Sequence, residues 1–548
     1  MAGVAIDSFD GASAIRKSMK DRPKILDSLR RAEFETSSRL LIAGIFVACL
    51  IWSTLMATVG WGNTISDANG FRQTQTAITS YYLARGGPFL RYETPIFGAP
   101  WSIPFEFPVY QWIVALTSKI LHLRLEQSGR LVNEVFFVLT LLTFWAILSE
   151  LRVDRAYRLI FLSLVLVSPQ YVFWSRTFMI ESTALFFSMA YLYFILRYIR
   201  TKKILDAGIG GLCGLLSALI KVTTFPAFAL VGGGIYVYSE YRGYRSAERP
   251  KPGKLLLAQL VPMLFFACLP IMFESIWVLY TDQVRSFNIV AHFILSNSNL
   301  RTWNFGTLAQ RFQAPAWIIL RVRSIPDVIG APISLLVSCL GLLLSRHRIV
   351  PFLISIGGFL SAFLIFTNLH YVHHYYVYSN GVFLLAAVSW GIVGLVEGLK
   401  WRKLLGIAVF LFCIFNSIER YYDYSYQNQK NNATQWDSLA AEIRNSTQPT
   451  DVVLIFSEDW SSEIPYYSER RALIWPRWME RDLDAPTMRE AISRLGNNKI
   501  GAIVFCDGAQ TNTRLIGQAV DKFEIASVPH YADAMCAVYP SSGPRSVK

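Results

Sequence analysis

Residues 66–87, SDANGFRQTQTAITSYYLARGG, and 93–112, ETPIFGAPWSIPFEFPVYQW, come just after the first long apolar segment of the chain. They carry an acid (Asp67), a base (Arg72), a second acid (Glu106) and many aromatic rings. The stretch is too polar to be buried in lipid. A polar, aromatic loop of this length, held against a membrane bundle, is where chemistry is expected.

Around this loop the chain is strongly apolar. Aliphatic and aromatic residues make up 53% of 548 positions and charged residues only 16%, and the mean hydropathy is +0.35. A soluble protein of this length needs more charge on its surface. The 15 Trp and 26 Tyr suit the aromatic belts of membrane interfaces. The net charge of +14 comes from bases clustered between apolar segments. That is the pattern of membrane orientation and anionic-lipid contact, and no nucleic-acid-binding motif accompanies it.

A helix needs about 20 apolar residues to cross the hydrocarbon layer. Such segments start near Leu40, Leu131, Ala156, Phe178, Ile204, Phe225, Leu255, Ile329, Val350, Tyr376 and Leu404. The expected fold is therefore a polytopic α-helical membrane protein with about eleven transmembrane helices. Residues 1–39 form a basic cytoplasmic segment, 40–419 the membrane domain and 420–548 a soluble α/β domain. Residues 61–128 form the first outer loop, in which Phe107 to Leu123 is short and amphipathic and reads as an interfacial helix. A second outer loop covers 281–325. The Ile15–Glu35 portion is either an amphipathic surface helix or a basic tail. No signal-peptide cleavage pattern precedes the first span, which is expected to stay in the protein.

Every second inter-span loop is short and basic: Arg152, Arg155 and Arg158; Arg200, Lys202 and Lys203; Arg242 to Lys254; Arg346 and Arg348; Lys400 to Lys403. The positive-inside rule then puts the N-terminus in the cytoplasm and, with an odd span count, the C-terminal domain outside. The same alternation puts Asp67, Arg72, Glu106, Arg176, Glu181, Lys221 and the segment His370–Tyr376 on the outer side.

Five motifs occur in one order: FRQTQTA (71–77), EFPVYQW (106–112), SPQYVFWSRTFMIEST (168–183), ALIKVTTFP (218–226) and HYVHHYYVYS (370–379). In this arrangement the chain resembles the bacterial glycosyltransferase family 39 and the related lipid A aminoarabinose transferases. These belong to the dolichyl-phosphate-mannose–protein mannosyltransferase superfamily, which has the GT-C fold. The resemblance covers Leu40 to Tyr376. It implies a multi-pass enzyme of the bacterial cytoplasmic membrane, and such proteins often carry a C-terminal domain like the one that the charge rule places in the periplasm here. Such an enzyme moves a sugar from a polyprenyl-phosphate donor to a hydroxyl of a lipid, glycan or protein of the envelope.

The residues suit that chemistry. An acceptor hydroxyl is a poor nucleophile and needs a carboxylate to take its proton, and the departing phosphate needs cations. By resemblance Asp67 is the general base of an inverting displacement, although SDANG is also a good turn sequence. Glu181 has a second catalytic or binding role. Arg72, Lys221, Arg176, Tyr375 and Tyr376 are the candidates for holding the donor phosphate. Arg72 could equally pair with Asp67 or with a lipid headgroup, and Lys221 could simply snorkel. Some members of the family have adjacent acids in this loop, whereas here Asp67 is followed by Ala68. Glu106, with His370, His373 and His374, is the candidate set for a divalent metal such as Zn, Mg or Mn. The alternatives are helix capping for Glu106 and interfacial anchoring for the histidines. The Thr281–Arg323 segment is either a lid or a static interfacial element.

No Walker-type loop or nucleotide fingerprint occurs, which favours a lipid-linked donor over a nucleotide sugar. Cys506 and Cys536 are the two cysteines of the outer domain and can pair there, while the other five lie in apolar spans. In the outer domain VVLIF (452–456) and IGAIVFC (500–506) read as buried strands. A transporter or flippase is the rival class. It predicts ionisable groups in mid-membrane and internal repeats, of which the sequence has few and none obvious. An O-antigen ligase or oligosaccharyltransferase-type enzyme is a second alternative.

Overall fold

Charge-free runs of Leu, Ile, Val and Phe set the architecture, because a backbone without water must bond to itself as helix. The computed structural model describes residues 11–65, 67–246 and 260–542. In chain order the first helices are α1 (Gly11–Thr58), α2 (Gly70–Ala84), α3 (Val109–Leu121), α4 (Leu125–Glu150), α5 (Arg155–Val167), α6 (Pro169–Trp174), α7 (Glu181–Thr201), α8 (Ile204–Ile220) and α9 (Phe225–Ser246). The 15–35 segment is helical within α1. The placement of its side chains, and residues 1–10, lie outside the described residues.

Among the described residues seven helices are long and apolar enough to cross a membrane: Glu35–Thr58, Leu125–Glu150, Glu181–Thr201, Leu260–Arg285, Arg346–Ile365, His374–Val396 and Lys400–Tyr424. An eighth crossing results if Ala314–Ile329 and Pro332–Leu344, bent by 74°, count as one. This is fewer than the eleven expected. Each shortfall has a local cause. Helix α5 stops before Pro169, which cannot continue the hydrogen-bond ladder. Helix α8 has 17 residues, a rise of about 26 Å, and α9 mixes Gly, Tyr, Glu and Arg into its apolar run. The last span runs to Tyr424, past the expected boundary at 419. Residues 281–325 are not an open loop. They fold into the short helices Ile289–Leu295, Asn297–Phe305, Leu308–Phe312 and Ala314–Ile319 before the bend.

Apolar side chains on the outside of the bundle, such as Leu279, Leu343 and Phe415, are more than half exposed. In water they would be a liability; against acyl chains they are the solvent-facing surface. The helix Val377–Val396 is buried along nearly its whole length and forms the bundle axis. Gly341 and Gly391 let it touch Pro332–Leu344 backbone to backbone, since a Cβ on Gly341 would lie 1.8 Å from the Gly391 carbonyl oxygen.

Ion pairs mark the two ends of the bundle. At one end Arg39 pairs with Asp154, Arg200 with Glu150, Lys403 with Glu35 and Arg348 with Glu397. At the other, Asp67 pairs with Arg176, Glu106 with Arg72, Glu181 with Lys221 and Asp327 with Arg420.

The C-terminal domain sits on this second end. Strands β1 (Val452–Ser457), β2 (Arg471–Pro476), β3 (Ile500–Cys506), β4 (Tyr531–Ala532) and β5 (Cys536–Pro540) form one sheet in the order β2-β1-β3-β5-β4. Strands β1, β2 and β3 are parallel, and β5 is antiparallel to β3. Strands β1 and β3 are buried nearly throughout, as their unbroken apolar sequences require. The short β4 and β5 were not anticipated. A Cys506–Cys536 disulfide joins β3 to β5.

The exposed edge of β2 is covered by the loop quoted at the outset. Gly98 donates its N–H to the Ala472 carbonyl at 2.9 Å, Ala472 donates to Pro95 at 2.9 Å and Ile474 to Ile96 at 2.8 Å. The segment Pro95–Gly98 thus adds a partial strand to the sheet, which both protects the edge and fixes the loop. Ile65, Ile78, Ile96, Phe97 and Tyr110 share one hydrophobic core with β1, β2 and β3.

Candidate active site

Two acid–base clusters lie side by side at the domain end of the bundle. The first contains Asp67. Arg130 reaches up from α4 to the carbonyls of Trp61 (3.1 Å), Asn63 (2.5 Å) and Thr64 (2.9 Å) and so fixes the chain leaving α1. Asn69 then adopts a left-handed conformation at the start of α2. Asp67 is held there by Gln73 Nε2 on Oδ1 at 2.5 Å and by Arg176 Nη1 on Oδ2 at 3.2 Å. Gln73 also accepts the Phe178 N–H at 2.8 Å, which ties the FRQTQTA motif to TFMIE. The Arg176 side chain is 0% exposed and that of Asp67 3%.

The second cluster is more open. Glu181 is the first residue of α7, where helix N-termini favour negative charge. Lys221 follows the last residue of α8. Close packing of α7 on α8 brings the two together: a Cβ on Gly214 would lie 2.8 Å from the Tyr191 ring. Lys221 Nζ bonds Glu181 Oε1, while Glu181 Oε2 is buried without a partner. The lysine also lies 4.3 Å from the Tyr376 ring centroid and 5.3 Å from that of Tyr375. Arg72 completes the cluster. It donates to Glu106 Oε2 at 3.2 Å and to Gln75 Oε1 at 2.8 Å, while Glu106 Oε1 accepts from Gln111 at 2.7 Å. Tyr375, Tyr376 and Glu181 are all close enough to act on the Arg72 charge.

This arrangement sorts the expected site residues. Arg72, Glu106, Glu181, Lys221, Tyr375 and Tyr376 come together. Arg176 does not join them: it is fully buried on Asp67 and cannot meet a phosphate without breaking that pair. The expected metal set does not assemble either. Glu106 is taken by Arg72 and Gln111, His370 Nδ1 lies 3.0 Å from the Phe366 carbonyl, and His374 Nε2 lies 3.3 Å from Asn69 Nδ2. Among the described residues no three His, Cys, Asp or Glu side chains converge on one point. His373 stacks near Tyr375 and Tyr376 instead. Burial pushes His370 and His373 down to about 4, so both rings are neutral near pH 7.

The sequence reading passed over Gln73 and Gln111, whose positions six residues after Asp67 and five after Glu106 are the only hint of their bonds. It also passed over Tyr92, which accepts the Phe105 N–H at 2.6 Å and donates to the Glu106 carbonyl at 2.8 Å. A small cavity of about 20 Å³ lies next to the Asp67 cluster, lined by Ala68, Gln170, Trp174, Asp327, His374 and Arg420 among others.

No protein-family model matches the chain, and no curated protein matches it. Solved structures do. ArnT from Cupriavidus metallidurans in the apo state superposes with a TM-score of 0.58 at 12% identity, covering 91% of this chain and 98% of that one. The same protein bound to undecaprenyl phosphate gives 0.57 at 10% identity, with 91% and 97% covered. The fold is GT-C. The archaeal oligosaccharyltransferase AglB from Archaeoglobus fulgidus, in complex with an inhibitory peptide and a dolichol-phosphate, shares this GT-C fold with a TM-score of 0.50 at 10% identity, covering 87% of this chain and 71% of that one. The chain is thus a multi-pass membrane protein with the GT-C fold, and its two acid–base clusters lie at the end of the GT-C bundle that carries the sheet domain.

Proposed function

We propose that this protein is a membrane glycosyltransferase. It moves a sugar from a polyprenyl-phosphate donor to a hydroxyl of an envelope lipid, glycan or protein, at the outer face of the bacterial cytoplasmic membrane. One observation carries the reading: the cluster in which Arg72 and Lys221 meet Glu106, Glu181, Tyr375 and Tyr376. Paired cations at a membrane-level site are what a lipid-linked phosphate needs, both when bound and when charge grows on it as it leaves. That the similar ArnT structure holds undecaprenyl phosphate supports a donor of this class.

In the reaction the acceptor oxygen bonds to the anomeric carbon as the bond from that carbon to the phosphate oxygen breaks. The anomeric configuration inverts, the electron pair leaves with the polyprenyl phosphate, and a carboxylate takes the acceptor's proton. In the first reading that carboxylate is Asp67, which must then exchange Gln73 or Arg176 for the acceptor. In the second it is Glu181, whose unpartnered Oε2 already lacks a donor.

The topology in this reading has eleven crossings, with the N-terminus cytoplasmic and residues 420–548 periplasmic. The ion pairs support it. The α7 start pairs with the residue after α8, and the residue between α6 and α7 pairs with the loop after α1, which supports crossings by α5–α6 and α8 despite their shortness. The basic loops at the opposite end support a cytoplasmic assignment for that end.

The test is a deletion strain complemented with wild type or with Arg72→Ala, analysed by mass spectrometry of envelope lipids and glycans. The expected result is loss of one sugar with accumulation of its polyprenyl-phosphate donor. Unchanged glycans and lipids in the deletion strain would sink the reading.

A further inference from the structure

Trp460 belongs to the C-terminal domain, yet it touches the neighbours of both partners in the Arg72–Glu106 pair. Strand β1 ends at Ser457, and the chain turns at once. Asp459 Oδ1 accepts the Trp460 N–H at 2.8 Å, and Ser461 Oγ donates to Glu463 Oε2 at 2.7 Å, so the turn is held by its own side chains. From there the indole projects into the first loop. Its ring lies 4.8 Å from Phe71, edge to face, 5.6 Å from Phe97, and 6.1 Å from Phe105 with the two planes 5° apart. Phe71 directly precedes Arg72, and Phe105 directly precedes Glu106.

The other walls of this arrangement are fixed without Trp460. Trp277 Nε1 donates to the Phe105 carbonyl at 3.3 Å, and Tyr92 holds the Phe105 N–H and the Glu106 carbonyl. Phe107 N donates to the Leu219 carbonyl at 3.0 Å, two residues before Lys221. The Glu106 side of the cluster is therefore anchored to the bundle. The Arg72 side enters at the first turn of α2, where Glu463 also lies close: a Cβ on Gly70 would be 2.4 Å from its Oε1. One residue of the sheet domain thus bridges the two segments whose separation sets the cation–carboxylate pair.

We infer that Trp460 is a positioning residue: it sets the Arg72–Glu106 geometry through Phe71 and Phe105, and so couples the C-terminal domain to the binding of a polyprenyl phosphate. The inference rests on the transferase reading for the identity of that ligand. Aromatic contacts of this kind act through rings that substrate never touches, so their loss should appear as misplacement of Arg72 rather than as loss of a substrate contact.

The experiment uses the full chain in detergent or nanodiscs and undecaprenyl phosphate as the probe, with binding read by native mass spectrometry. The variants are Trp460→Ala, Trp460→Phe, Arg72→Ala and the double variant Trp460→Ala/Arg72→Ala. Trp478→Ala, at an exposed tryptophan of the same domain, is the control. Trp460→Ala should weaken binding by about tenfold, the scale of two lost aromatic contacts. Trp460→Phe should recover most of it, and Trp478→Ala should bind as wild type. In the double variant the two losses should not add, because both act through Arg72. Wild-type binding by Trp460→Ala alongside weakened binding by Arg72→Ala would overturn the inference and leave the transferase reading standing, as would fully additive losses. Wild-type binding by Arg72→Ala would overturn the phosphate assignment itself. Should Trp460→Ala fail to fold, Trp460→Phe decides the matter through the same coupling: an effect that adds fully to Arg72→Ala refutes positioning.

Discussion

The Asp67–Arg176 and Glu106–Arg72 pairs use the same chemistry at the same 3.2 Å separation, and they do opposite things. In the first, both Asp67 oxygens are taken and neither side chain is more than 3% exposed. In the second, the side chains are 18% and 12% exposed, and the pair lies within electrostatic reach of Lys221, Tyr375 and Tyr376. The first is a knot that joins the loop after α1 to the start of α7. The second joins a larger cluster with a second cation, Lys221, and an unpartnered Glu181 oxygen. Ion-pair distance alone does not distinguish a structural pair from a functional one; the number of remaining partners and the access of solvent do.

Four experiments would break or sharpen that contrast. The largest effect is expected at the base. Replacing the carboxylate that takes the proton should lower turnover by about 10²–10⁴-fold. Comparing Glu181→Gln with Asp67→Asn in a glycan-transfer assay on purified membranes decides between them. If Asp67 serves only the knot, the activity lost by Asp67→Asn should track its lost thermal stability, whereas the activity lost by Glu181→Gln should exceed what the broken Lys221 pair costs in stability.

Next comes the knot itself. Arg176→Met leaves Asp67 buried without its cation, a change that costs about 3–5 kcal/mol when one partner of a buried pair is removed. Thermal unfolding in detergent should show the loss, and a melting curve unchanged from wild type would refute the structural role. Arg72→Ala should behave in the contrary way. Its partner is less deeply buried than Asp67, so stability should fall by less than in Arg176→Met, while polyprenyl-phosphate affinity falls by roughly 10–100-fold through the lost charge-assisted bonds. Equal losses in stability for Arg176→Met and Arg72→Ala would erase the distinction.

The smallest effect is a pH trend. His370 and His373 have folded-state values depressed to about 4 by burial, against an ordinary value of 6.5. Above pH 6.5 both states are neutral there and these groups contribute nothing to the slope. Between 6.5 and about 4 the unfolded chain takes up protons that the folded chain refuses, so stability should fall as pH falls through that window. His373→Gln should flatten the slope, and an unaltered slope in that variant would count against its buried, neutral state.

Much of this molecule is legible in its sequence. Charge-free runs mark the spans, and the apolar blocks 452–456 and 500–506 mark the central strands, because burial on all sides demands apolar residues in sequence as well as in space. The alternation of basic loops and the family resemblance of the ordered motifs likewise point to Arg72, Glu106, Glu181 and Lys221. The span count was less legible. Pro169 ends one helix early, and the short α8 is packed against α7, where protein contacts replace part of the lipid length that a window reading assumes. The expected metal set is not gathered in the structure, for a different reason. Residue types told of possible ligands, but Glu106, His370 and His374 find their hydrogen bonds with Arg72, Gln111, Phe366 and Asn69, and nothing in one-dimensional spacing records which partner a side chain will meet.

By itself, then, the sequence determined that the chain is a bundle of apolar helices carrying a domain with buried central strands, with its candidate acids and bases gathered at one end of the bundle. Composition and periodicity are local properties, and helix, strand and burial follow from them. Only the tertiary structure decided that Asp67 is tied to Arg176, that Glu181 retains a free oxygen, and that Pro95–Gly98 borrows the edge of β2 while Trp460 reaches back to the loop. Those contacts join residues up to several hundred positions apart. They are selected by which donors and acceptors remain unmet once the helices have packed, and the full set of neighbours exists only in the folded chain.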